Sequence, residues 1–83
     1  MSGMTNIELK EAVYKAVASK GGKATLIDVA RYIWHNHEAD LRASGDRFYK
    51  WQYEMRWAAN VLRTEGRFEA AEDSPRGVWV IRK

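Results

Sequence analysis

Apolar positions along the chain fall into three helical stretches followed by an extended tail. Leu9, Ala12, Val13, Ala16 and Val17 recur at the three-and-four spacing that lines one side of an α-helix. Thr5 with Glu8 three positions on forms a capping box, and Gly21-Gly22 ends the run, so a first helix is expected over about residues 6–19. Lys23-Ala24-Thr25 is a short connector, one rung of a strand at most. Thr25 and Asp28 repeat the capping logic. Leu26, Val29, Ala30, Ile33, Trp34 and His37 then share one face of a second helix, over about residues 26–38. A polar connection follows, with Ser44-Gly45-Asp46 as a turn. Phe48, Trp51, Met55, Ala58 and Leu62 form the buried stripe of a third helix over about residues 47–64, stopped by Gly66.

After Gly66 the period changes. Residues 67–72 and 77–83 read as two strands, the second rich in Val, Trp and Ile, with Asp73-Ser74-Pro75-Arg76 and Gly77 as the turn between them. Trp79 belongs to the core, closing this hairpin (about residues 67–82) over the helices. The expected fold class is α+β, and the element order is that of a winged helix. That is a three-helix helix-turn-helix core followed by a C-terminal two-stranded β-hairpin wing, in one domain spanning residues 1–83.

The face of the third helix opposite its core stripe changes the picture. It carries Tyr49, Tyr53, Arg56, Asn60, Arg63 and Thr64, with Lys50 and Trp57 flanking and Glu54 nearer the edge. A merely solvated face is usually rich in Glu and Lys. Arg matches guanine O6 and N7, Asn matches adenine N6 and N7, and Tyr hydroxyls reach phosphates. The structural alternative is that Tyr49, Tyr53 and Trp57 pack under the wing or the 39–46 loop while the arginines pair with Glu54 and Glu65. At the wing tip, Arg76 can reach a phosphate or a minor groove, but Glu72 and Asp73 beside it repel DNA.

Charge supports the same half of the molecule. The net charge is +3. Residues 1–41 balance five Lys/Arg against five Asp/Glu, whereas residues 42–83 hold nine against six and supply the whole excess. That is a mild lean toward anionic partners. With no cysteine, neither a disulfide framework nor a Cys-based zinc site is available. No apolar run approaches the ~20 residues of a membrane span, and Met1-Ser2-Gly3-Met4 lacks the pattern of a signal peptide. The expected location is cytoplasmic, on the nucleoid if the source is bacterial.

The segment from Trp51 onward resembles a known family. Trp51 followed by RWAANVLRTEG, the RF that opens the first wing strand, and the returning RGVWVI with Gly77 and Trp79 are similar to the winged-helix domain at the N-terminus of Mrr-type restriction endonucleases and in related modules. Residues 1–50 agree with it in element order. In that family the domain recognises DNA and a separate domain cuts. The resemblance therefore implies duplex-DNA binding by Arg47, Lys50, Tyr53, Arg56 and Asn60, with Arg76 on the wing. The chain stops at the wing, so cleavage is not implied.

Other chemistry finds little footing. Gly21-Gly22-Lys23 lacks the first Gly and the Ser/Thr of a phosphate loop. The serines have no triad context. The tripeptide His35-Asn36-His37 spells the name of a nuclease family, but helix residues two apart point about 200° away from each other. The two imidazoles therefore cannot share a metal. His37 is expected to pack against the 39–46 connection, and His35 to face solvent. No enzyme activity, cofactor, metal or small-molecule substrate is expected. The expected partner is duplex DNA, bound by a small regulatory or recognition module. The competing expectation is a protein-interaction module, contacting a protein partner or a second copy of the chain.

Overall fold

The computed structural model describes residues 4–82, apart from the side chain of Arg47. Helix α1 (Asn6–Ser19) is followed by strand β1 (Lys23–Thr25) and helix α2 (Leu26–Arg42). A 3-10 helix (Gly45–Tyr49) leads into α3 (Trp51–Thr64), and a short 3-10 turn (Ala71–Asp73) precedes strand β2 (Val78–Val80). Three helices and a two-stranded antiparallel sheet make an α+β fold.

Both capping boxes form. The Glu8 amide donates to Thr5 Oγ1 at 3.1 Å while the Thr5 amide donates to Glu8 Oε1 at 2.8 Å. Thr25 and Asp28 make the same reciprocal pair at the start of α2. These bonds satisfy amides that a helix start otherwise leaves unpaired, and α1 begins and ends where its pattern predicts.

Helix α2 is longer than expected. His37 leaves the helical region (φ −132°, ψ 18°), and the chain continues through this kink to Arg42. The residues assigned by sequence to a polar connection thus form a further helical turn. Its driving force is Leu41, which is completely buried, while the polar residues around it face out. A second tie fixes the corner: the Met4 amide donates to Ser44 Oγ at 2.9 Å, and Ser44 Oγ donates to the Asp40 carbonyl at 2.6 Å.

Helix α3 starts at Trp51, later than expected. Residues 45–49 form a tighter 3-10 helix, and Lys50 (φ −120°, ψ −11°) breaks the two apart. The break takes Phe48 off the buried stripe. It lies half-buried against Trp34, ring centroids 6.3 Å apart. From Trp51 on, the predicted stripe holds: Trp51, Met55, Ala58 and Leu62 are buried, and Ala59 with them. They meet Leu9, Val13 and Val17 of α1 and Val29 and Ile33 of α2 in one core. Among the described residues, none of the buried ones is polar or charged.

Gly66 (φ +78°) closes α3. The Gly66 amide donates to the Arg63 carbonyl and the Arg67 amide to the Leu62 carbonyl, the paired bonds of a left-handed glycine stop. This reversal brings Phe68 into the core. It is 1% exposed and stacks between Tyr14 and Trp79.

The tail departs most from expectation. β2 pairs with β1, in the register Lys23↔Val80, Ala24↔Trp79, Thr25↔Val78, so the short connector is a full strand. On the other side of β2 the expected strand 67–72 amounts to a single bridge, Phe68↔Ile81, framed by bonds from the Glu69 amide to the Val80 carbonyl and from the Arg82 amide to the Arg67 carbonyl. Beyond Glu69 the chain turns into the 3-10 segment. Ala70-Ala71-Glu72 has neither the β-branched nor the aromatic side chains that hold an edge strand. Trp79 is buried as expected. Among the described residues, no helix is long and apolar enough to cross a membrane.

Candidate nucleic-acid interface

The core stripe of α3 orients its opposite face. With Met55, Ala58 and Leu62 turned inward, Tyr53, Arg56, Trp57 and Asn60 stand outward. Together with Asn6 at the start of α1 and Glu54, they line an open cleft of about 520 Å³. Tyr53 is 77% exposed and Trp57 43%. Tyr49, on the 3-10 helix, is 84% exposed and meets Phe48 edge to face at 5.2 Å. Neither tyrosine packs under the tail or the 39–46 segment.

Two polar side chains on this face, those of Arg56 and Asn60, make no hydrogen bond or ion pair with a described residue. Both residues are exposed. The Asn60 backbone carbonyl accepts from Thr64 Oγ1 at 3.0 Å. Lys50 is exposed at the N-terminal boundary of α3.

Two of the sequence-predicted residues, Arg63 and Arg76, stand apart from this cluster. Arg63 is half-buried, and its Nε donates to the Glu69 carbonyl at 3.2 Å, bracing the chain that leaves α3. Arg76 is exposed at the turn before β2, next to the exposed Glu72 and Asp73. Arg47 lies on the 3-10 helix, and its side chain is outside the described residues.

Carboxylates near the C-terminal end of α3 are neutralised by the fold itself. Arg67 forks onto Glu11 with bonds of 2.7 and 3.0 Å, lies 4.3 Å over the Tyr14 ring, and sits 3.8 Å from Glu65. Lys10 bonds Glu65 at 2.8 Å. The Arg67 hydrogen bonds hold the Glu11 carboxyl below its ordinary range, against an opposing push from burial, and Glu11 in turn raises Arg67. Glu65 is thus paired with Lys10 and Arg67 and not, as the structural alternative expected, with the arginines of the α3 outer face.

His35 is exposed and His37 half-buried, its Nδ1 4.0 Å from Asp40 Oδ2. His37 sits at the kink rather than in a last turn, beside Met4, Ile7 and Glu8 of the N-terminal segment. Among the described residues, no three His, Asp or Glu side chains gather around a metal-sized point.

The sequence pattern passed over a second surface. Ile27 is 62% exposed and lines a trough with Ala30, Trp34, Phe48 and Trp51. Its signal was present: Ile27, Ala30 and Trp34 follow the i, i+3, i+7 spacing of a second apolar stripe beside the core one. No protein-family model, curated protein or solved structure matches the chain.

Proposed function

We propose that the protein is a winged-helix module that binds double-stranded DNA, with α3 as the recognition helix. The observation that carries this is the outward, uncommitted set Tyr53, Arg56 and Asn60 on the face of α3 away from the core. The order helix, strand, helix, helix and closing strand, with β1 paired to β2, supports the winged-helix assignment. The 67–82 tail is then a short wing.

In this account α3 lies in the major groove. Arg56 contacts a guanine edge or a phosphate, Asn60 an adenine edge, and the Tyr53 hydroxyl a phosphate. Lys50, Arg47 and Tyr49 flank the start of the helix, where phosphate contacts fix its register. Arg76 adds a contact from the wing, weakened by Glu72 and Asp73. Arg63 acts by holding the wing rather than by touching DNA. The module recognises DNA and carries out no catalysis, in a regulatory or targeting role.

One observation favours a second reading. Tyr49, Tyr53 and Trp57 are exposed together, and clustered exposed aromatics also suit a protein interface.

Anisotropy of a labelled duplex at low salt separates the two. Arg56→Ala is expected to weaken binding by about 1–3 kcal/mol, roughly 5- to 150-fold, with the circular dichroism spectrum unchanged. Asn60→Ala is expected to weaken binding to preferred sequences only. If the wild type does not bind duplex at low salt, or both variants bind as it does, recognition by α3 is wrong.

A further inference from the structure

Two turns of α2 expose a stripe that the described residues leave uncovered. Ile27, Ala30, Arg31 and Trp34 run along about 10 Å of helix. Facing them are Phe48 and Trp51, and the trough between the two walls has a volume of about 400 Å³. Its floor is rigid. Trp34 and Trp51 are stacked at 6.1 Å with planes 9° apart, and Phe48 leans on Trp34. A second cleft of about 350 Å³ shares Ile27, Ala30 and Gln52 with the first and continues past Met55 to Tyr53 and Arg56. The two form one trough along the α2–α3 seam.

Among the described residues, the charged side chains lining the two clefts are the cations Arg31 and Arg56. Arg42 extends the cationic rim, its guanidinium 5.2 Å from the Trp34 ring and 5.6 Å from the Phe48 ring, held by Glu38 at 2.8 Å. The α2 carboxylates Asp28 and Glu38 line an adjoining cleft that shares Arg31 and Trp34 with the trough.

We propose that this trough is a docking site for an acidic amphipathic helix of a partner protein. Apolar side chains spaced i, i+3 or i+4, i+7 on the partner would fill the space between Ile27 and the Trp34–Trp51 pair, the geometry by which a helix lies in a groove. Flanking Asp or Glu residues would meet Arg31 and Arg56. The phosphates of a duplex would match the arginines but gain nothing from the apolar floor. A protein helix uses both. Arg56 and Tyr53 also belong to the α3 face proposed to bind DNA, so the two partners compete there, whereas Ile27, Arg31 and Trp34 belong to the trough and not to that face.

A displayed library of helical peptides, panned against the full chain with the Ile27→Gln variant as counter-target, tests this. Ile27 is largely exposed, so its replacement leaves the core intact, and circular dichroism verifies that. The expected result is enrichment of peptides with i, i+3/i+4, i+7 apolar residues flanked by acidic ones. These should bind Ile27→Gln about tenfold or more weakly, and Arg31→Glu should remove the preference for acidic peptides. No enrichment, or enrichment of neutral or basic peptides, overturns the proposal. So does indifference to Ile27→Gln or Arg31→Glu. If Ile27→Gln instead abolishes a dimer seen by sedimentation, the trough belongs to a second copy. If it weakens duplex binding about tenfold with no peptide selected, the trough belongs to DNA. Either result overturns it as well.

Discussion

The guanidinium of Arg67 meets Glu11, Glu65 and the Tyr14 ring at once, and so ties the chain leaving α3 back onto α1. Its effect on Glu11 makes stability depend on pH. The folded-state pKa of Glu11 is depressed, so the stabilisation is present above the unfolded carboxylate pKa and is lost as pH falls through the folded value. Both side chains remain more than a third exposed, which limits the effect. Glu11→Gln is expected to cost about 0.5–1 kcal/mol at pH 7. The wild type and the variant should converge as the pH drops below about 4, which urea unfolding at two pH values measures. Single residues also show where sequence reasoning reaches its limit. The helical period put Arg63 and Arg56 on the same face, but Arg63 is held by the Glu69 carbonyl, six residues ahead. That bond exists only because the chain doubles back at Gly66, and a period along one helix carries no trace of it.

At the scale of elements, local signals were legible and long-range ones were not. The two capping boxes and the core stripe of α3 lie within a few residues of each other in sequence, so spacing alone located them. The kink at His37 and the extra turn to Arg42 depend on Leu41 finding the core and on Met4 bonding Ser44 from forty positions away. Surrounded by polar residues, Leu41 looked like part of a loop. Its burial gives a sharp expectation: Leu41→Ala should lose about 2–5 kcal/mol in denaturant unfolding, where a loop leucine would lose almost nothing. The tail shows the same division. The turn around Gly77 and the burial of Trp79 followed from composition. The partner of β2 did not, because β1 lies more than fifty residues earlier and is only three residues long.

For the whole molecule, the order of the three helices and the α+β class were legible, while the surfaces between elements appeared only once the helices were packed. The α2–α3 trough is made by residues from two helices and the 3-10 segment joining them, so its continuity is a property of the assembled fold. The outer face of α3 was visible in the sequence because it belongs to one helix. The fold adds that Tyr53, Arg56 and Asn60 are outward and uncommitted, while Arg63 and Arg67 hold the scaffold. The central claim is that duplex DNA is bound by this face. Its most direct test is a nitrogen-15 NMR titration of the full chain with a short duplex at low salt. The account predicts shifts concentrated on Lys50, Tyr53, Arg56, Asn60 and the Trp57 indole, with weaker ones near Arg76. Absence of shifts, or shifts confined to Ile27, Trp34 and the opposite side of the molecule, would contradict it.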